Sequence, residues 1–321
     1  SLINEYSING NYILVKRDSF KGIFYYLRAK YVFFTHGLFA GAKISKQHCV
    51  INLWHGMPLK KIGLLEKNEI SQKSKYAIAT SGFYQNIMAE AFGMKNEDVL
   101  IVGQPRNDLM FKKKDYLSNF GINRCNSMKI VLWTPTFRQS IRGDIRLDGL
   151  FSENLPLVKL NDLEVLNEFI LSINSFLIIK LHPMDVLNNQ VFANFSNIKI
   201  IKSKDLENFN IQLYSLLGSA DILLTDFSSI YIDYLLLNRP IGFVGDDFDE
   251  YSKSRGFIFD NPEEYMPGVK IRSLEDLKTF LYNTLILSQD LYLENRVLIN
   301  NKLNNEFANY SYELLRAIKF N

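Results

Sequence analysis

Short apolar runs of strand length alternate with amphipathic stretches almost from the start of the chain. The runs NYILVK (11–16), YVFFT (31–35), CVINL (49–53), YAIAT (76–80) and VLIVG (99–103) predict strands. Between several of them, DSFKGIFYYLRAK (18–30) and SGFYQNIMAEAF (81–92) carry the helical period. Near-continuous apolar strands separated by helices are the pattern of a parallel sheet covered on both faces. A polar segment from Phe111 to Met128, with Lys112, Lys113 and Lys114 followed by NFGINRCNS, interrupts the series. A second series then runs KIVLWT (129–134), FLIIKL (176–181), NIKII (198–202), DILLT (221–225) and RPIGFV (239–244), again with helical segments between.

The interruption predicts two Rossmann-like, doubly wound α/β domains, one over residues 1–125 and one over 126–304, with the helical tail 305–321 packing back on the first. Such sheets bind ligands outside the carboxyl ends of their strands, so two of them joined by a short link predict a central cleft between facing domains. This is the GT-B architecture. The length agrees, because a single core stops growing near about 250–300 residues and the chain has 321.

Composition narrows the function. Hydrophobic residues make up 47% and charged residues 22%, which excludes a disordered chain. The net charge of +3 is too small for a nucleic-acid binder and suits a phosphorylated substrate or an anionic membrane surface, or an ordinary solvated surface. The two cysteines, Cys49 and Cys125, lack metal or redox spacing and are expected to be buried free thiols. No apolar run is long enough to span a bilayer and no signal peptide opens the sequence, so a cytoplasmic location is expected. The chain begins with Ser1, which leaves room for an N-terminal segment that is not in this sequence.

Polar residues gather just after the predicted strands, where a doubly wound sheet places its ligand. In NLWHGMPLKKIG, His55 follows a strand and is trailed by Gly56, Pro58, Lys60 and Lys61, in a loop suited to presenting a base near neutral pH. A histidine satisfied by backbone hydrogen bonds at a turn is the alternative. In VGQPRNDLM, Arg106 is placed to reach a cleft, while Asn107 or Asp108 suits a helix cap. LWTPTFR offers Thr136 and Arg138, the arginine able to fork onto phosphate oxygens or to remain a surface side chain. KLHPMD leaves His182 at a sheet edge, where Pro183 ends the ladder. TDFSSIYID joins a strand to a helix through Thr225, Asp226, Ser228 and Ser229, with Asp233 one to two turns further on. Hydroxyls and amides at such a junction favour an anion, although a serine cap explains one residue of the cluster. The loop DDFDEYSKSRGF, ending in Arg255, either lines a donor pocket or is solvated. No acidic pair of the DxD type follows a strand, although Asp246 and Asp247 are adjacent near a strand end, so no obligatory metal is expected.

WHGMPLKKIG, GQPRNDLM, TPTFR, KLHPMD, TDFSSIYIDYLLLNRPIGF and EYSKSRGFIFDNPEEYMPG, in this order, resemble the CDP-glycerol glycerophosphotransferase family of teichoic acid primases and polymerases. The resemblance spans roughly residues 50 to 270. It departs modestly, with Met57 where the family often has Thr and Phe227 where Tyr is common. It implies a GT-B fold with the CDP donor on the second domain, His55 as catalytic base, and Arg138, His182 and the TDFSS segment as ligands of the donor pyrophosphate. It implies a CDP-glycerol or CDP-ribitol donor and a lipid-linked or polymeric polyol phosphate or glycan acceptor. No nucleic-acid partner is expected, and Lys60–Lys61 and Lys112–Lys114 offer peripheral contact with the inner face of the cell membrane. Sugar transfer from a nucleotide sugar is the rival within the fold, and a polymer-binding scaffold is the rival outside catalysis.

Overall fold

The computed structural model describes residues 13–37, 48–66, 73–125, 127–135, 155, 157–158, 162–181, 195–245 and 256–320. The chain divides into two compact units, Ser1–Asp108 with Lys302–Asn321, and Leu109–Asn301. The polar segment after Phe111 therefore belongs to the second unit, so the division falls earlier than the 125/126 boundary read from composition.

In the first unit, helix α1 (Phe20–Arg28) precedes strands β1 (Tyr31–Phe34), β2 (Cys49–Asn52), β3 (Tyr76–Ala79) and β4 (Val99–Ile101). These form one parallel sheet in the order β1-β2-β3-β4. Helix α2 (Gly82–Phe92) crosses between β3 and β4. Its ends are set locally: the Ser81 side chain accepts from Tyr84 N–H, and Gly93 closes the helix at φ 61°, a left-handed position natural to glycine. Residues 13–16 form no strand, and Ile13 is 60% exposed. The apolar run there is real, but its side chains face solvent instead of a sheet neighbour.

The last helix of the chain, Tyr310–Ala317, completes this unit; Leu314 from it and Ile318 just after it pack against Ile51, Ile78 and Val102 of the sheet. The ring of its first residue, Tyr310, packs so closely on Gly103, whose φ is 69°, that a Cβ there would lie 2.4 Å from it. Asp108 anchors its start. The carboxylate accepts the backbone N–H groups of Tyr310 at 2.7 Å and Ser311 at 2.9 Å, two of the donors that a helix leaves without partners at its first turn.

The second unit holds β5 (Lys129–Trp133), α3 (Asp162–Ser172), β6 (Ser175–Lys180), β7 (Ile198–Ile201), α4 (Ser203–Asn208), α5 (Leu213–Ser219), β8 (Ile222–Thr225), α6 (Ile230–Tyr234), β9 (Ile241–Val244), β10 (Val269–Ile271) and α7 (Leu274–Leu285). The six strands are parallel in the order β10-β9-β8-β5-β6-β7. Numbered within the unit, that is the 3-2-1-4-5-6 order of the doubly wound Rossmann sheet. Alternation along β5 divides the core. Val131 and Trp133 pack with Leu163, Leu166 and Ile170 of α3 and with Leu277 and Leu281 of α7, while Ile130 and Leu132 are buried on the other face. Each such fully buried aliphatic side chain contributes about 1.5–3 kcal/mol of transfer free energy. Burial on both faces explains the continuous apolar runs. The three residues of β10 made too short a run to be read as a strand.

Cys49 is half-buried at the start of β2, and Cys125 is exposed in the irregular stretch before β5, which corrects the expectation of two buried thiols. No helix among the described residues is long and apolar enough to cross a membrane.

Removing the Asp108 carboxylate strands two backbone donors at the foot of the final helix. Asp108→Ala is expected to lower unfolding free energy by about 1–2 kcal/mol in urea titration, with hydrogen exchange rising first at Tyr310 and Ser311.

Candidate active site

The first cluster sits where β1 and β2 end together. Phe34 pairs with Asn52 across the two strands, so the chain leaves both at the same edge. Asn52, 1% exposed, accepts the Trp54 N–H on its side-chain oxygen at 2.9 Å, and Trp54 takes a positive φ of 52°. Gly56 follows at φ 134°. That pair of turns ends the strand abruptly and places His55 at the edge. Arg106, in the 3-10 segment Pro105–Phe111, fixes the loop from the other side by donating Nη1–H to the His55 carbonyl oxygen at 2.8 Å. Met57 and Leu59 are buried beneath it, and Tyr84 of α2 donates its hydroxyl to the Pro58 carbonyl at 3.2 Å.

The imidazole of His55 is held by its own neighbours. Nδ1 lies 3.3 Å from the Thr35 carbonyl oxygen, a contact in which the ring N–H donates. That assigns the proton to Nδ1 and leaves Nε2 as the acceptor. The Trp54 indole lies 4.0 Å away between centroids, and the His36 ring lies 4.5 Å away and nearly parallel, at 9°. The residue keeps solvent access as a whole. Burial of the ring nevertheless pushes its pKa below the usual imidazole value, the Thr35 hydrogen bond acts the other way, and positive charge on His36 and Arg106 lowers it further. A neutral imidazole at a sheet edge, its Nδ1 engaged and its Nε2 without a hydrogen bond among the described residues, is equipped to take a proton.

The second cluster lies in the other unit at its topological switch point, between β5 and β8, where a Rossmann sheet opens its crevice. Thr134 N–H donates to the Leu224 carbonyl at 2.8 Å, and the Thr225 hydroxyl donates to the Thr134 carbonyl at 3.1 Å. These bonds tie the two strand ends together. Asp226 follows, 1% exposed, then Phe227, with Ser228 and Ser229 half-buried at the start of α6. The Ser229 side chain makes no capping bond to that helix. Phe227 and Phe257 lie 5.5 Å apart and, with Phe259, Asp260 and Asn261, line a pocket of about 420 Å³.

The candidate residues thus separate by environment. His55, Gly56 and Lys60 belong to the loop after β2, with Lys60 half-buried, and Arg106 bonds that loop from the 3-10 segment after β4. Asn107 is fully buried, and Asp108 is engaged by the final helix. Thr225, Asp226, Ser228 and Ser229 share the β8 edge. Asp233 is 1% exposed and accepts the Tyr214 hydroxyl at 2.6 Å, a bond that joins α6 to α5. Thr136, Arg138, His182, Arg255, Asp246 and Asp247 lie outside the described residues. The reading of the sequence passed over Thr35 and His36. Their signal was present, since a histidine followed by glycine ends both YVFFT and CVINL. Among the described residues, no group of three or more His, Cys, Asp or Glu is placed to hold a metal ion.

Residues 4–311 match the family described as CDP-Glycerol:Poly(glycerophosphate) glycerophosphotransferase. The chain belongs to this family. Among relatives of the glycerophosphotransferase family, the teichoic acid glycerol-phosphate primase of Bacillus subtilis (strain 168) is 32% identical over 239 residues, covering 70% of this chain and 56% of the relative. The ribitol-phosphate polymerase TarL of Staphylococcus aureus is 26% identical over 83% of this chain and 48% of its own length. The chain therefore spans about half the length of these two relatives. A solved structure of the wall teichoic acid polymerase TagF, soaked with CDPG, has a TM-score of 0.76 at 24% identity, covering 97% of this chain and 77% of that one. The likeness establishes a GT-B-like fold of two Rossmann-like domains for this glycerophosphotransferase family member.

The depressed basicity of His55 is directly measurable. Its imidazole resonances are expected to titrate below the ordinary histidine value of about 6.5. Replacing Arg106 by Gln, which removes one of the charges behind that depression, should move the titration upward.

Proposed function

We propose that this chain transfers glycerol phosphate from CDP-glycerol to a hydroxyl of a membrane-linked surface polymer, a teichoic acid or capsule chain, and releases CMP. The observation that carries this reading is His55 itself. The WHGMP segment that contains it resembles the family's motif, and donation from Nδ1 to the Thr35 carbonyl leaves Nε2 to accept a proton at the sheet edge, which supports the reading. The acceptor hydroxyl gives its proton to His55 Nε2 as its oxygen attacks the donor's β-phosphorus. The new oxygen–phosphorus bond forms in line as the bond from that phosphorus to the bridging oxygen breaks, and CMP departs with the bond's electrons.

In this reading the edge of β8 receives the donor. The half-buried hydroxyls of Ser228 and Ser229 and the nearby backbone offset charge on the transferred and leaving phosphates. Arg138 and His182 join them as pyrophosphate ligands, with Thr136 and Arg255 lining the same donor site. Gly56, Lys60, Arg106, Asn107 and Asp108 form the acceptor side, in which Arg106 shapes the His55 loop and Asp108 supports it through the final helix. Buried Asp226 and Asp233 act by holding the donor loop and α6. The reaction is proposed to need no metal and to take place on the cytoplasmic face of the membrane, with the exposed Lys112–Lys114 offering contact to anionic headgroups.

Ribitol phosphate transfer from CDP-ribitol is a second reading, favoured by the similarity to the ribitol-phosphate polymerase TarL. A panel of CDP-glycerol, CDP-ribitol and UDP-sugars, each with and without a lipid-linked polyol phosphate acceptor, separates them. Acceptor-dependent CMP from CDP-glycerol is the expected outcome. Acceptor-dependent CMP from CDP-ribitol alone supports the second reading, and UDP release in place of CMP rejects both.

A further inference from the structure

The His36 ring belongs to the first cluster but has no part in the transfer chemistry above. It stands on the connection leaving β1, two residues beyond Phe34, and lies against His55 at 4.5 Å with the rings 9° from parallel. Thr35 touches both imidazoles: its carbonyl oxygen is 3.3 Å from His55 Nδ1, and its hydroxyl oxygen is 3.1 Å from His36 Nδ1. The orientation of His55 is therefore fixed by two adjacent residues of a neighbouring strand end, in addition to its own Trp54.

We propose that His36 is a positioning residue for the His55 base, its stacked ring holding the imidazole with Nδ1 on the Thr35 carbonyl and Nε2 toward the acceptor hydroxyl. The proposal rests on the reading of His55 as base and adds to it a second histidine that touches no substrate.

The stack has an electrostatic consequence. Two imidazolium rings at this separation repel, so positive charge on His36 opposes a proton on His55. Among the described residues, the charged and titratable groups facing His55 are His36, from the end of β1, and Arg106, from the 3-10 segment after β4; Thr35 and Trp54 carry no charge. Both neighbours favour neutral His55, the form that accepts a proton. An aromatic ring without charge at position 36 would keep the stack and lose the repulsion, whereas alanine would lose both.

The test compares His36→Phe and His36→Ala with the unaltered protein by two readouts. One is the NMR titration of the His55 imidazole, assigned among the four histidines by single replacements. The other is kcat for acceptor-dependent CMP release from CDP-glycerol across pH. His36→Phe is expected to raise the titration midpoint of His55 and move the acidic limb of the kcat profile to higher pH by the same amount. His36→Ala should lower plateau kcat by roughly tenfold, a fraction of the 10²–10⁴-fold that a positioned base supplies. The donor KM should stay within about threefold, as expected when transition-state interactions alone are lost. Phenylalanine should restore part of the kcat that alanine loses. An unchanged His55 titration in His36→Phe together with unchanged kcat in His36→Ala overturns the proposal. Transfer retained in His55→Ala would defeat the base reading itself, a result kept separate because the titration needs no turnover.

Discussion

A parallel strand cannot be followed directly by its neighbour. The chain must cross a face of the sheet and re-enter at the same end, so every strand delivers its last residue to one edge. Most of what is distinctive here follows from that constraint. The faces are closed by helices and read as continuous apolar runs. The polar residues that the faces cannot accept collect at the carboxyl edges, Thr35, His36 and His55 in one sheet, Thr134, Thr225 and Asp226 in the other. Function is concentrated there because the edge is where backbone groups run out of sheet partners and side chains meet solvent.

The edges differ in how they are stiffened. Beyond β2, the chain turns through a positive φ at Trp54 and a glycine conformation at Gly56, with Asn52 and Arg106 bonded to the backbone on either side of the turn. The imidazole thus enters its orientation with little freedom left to lose. Beyond β5 and β8, two threonines lace the strand ends through main-chain and hydroxyl bonds. Rigid anchoring of this sort is what a base or an anion-binding loop requires, because small displacements of a reacting group cost rate steeply. The terminal helix contributes at a distance by covering the first sheet with Leu314 and by engaging Asp108.

Much of this arrangement was legible in the sequence, and the exceptions are physically instructive. Apolar runs located nine of the ten strands among the described residues, because burial on both faces leaves a signal that needs no periodicity. NYILVK carried the same signal without a sheet to join, since pattern reports apolarity and says nothing of partners. The edge motifs were legible as groups, but individual roles within them were not. Asp233 and Asp108 stand in motifs that read as ligand-binding, yet one bonds Tyr214 and the other bonds the final helix, contacts made by residues 19 and 202 positions away. His36 was missed for the opposite reason. Its motif is short, and its meaning appears only when β1 and β2 are paired in register.

The account stands or falls on His55 as the group that accepts the acceptor's proton. The most direct measurement compares His55→Ala with the unaltered protein for acceptor-dependent CMP release from CDP-glycerol, with donor binding followed by calorimetry in the same samples. Loss of CMP release by about 10²-fold or more with the donor affinity retained is the predicted result. CMP release at the unaltered rate from a variant that binds donor normally would contradict it.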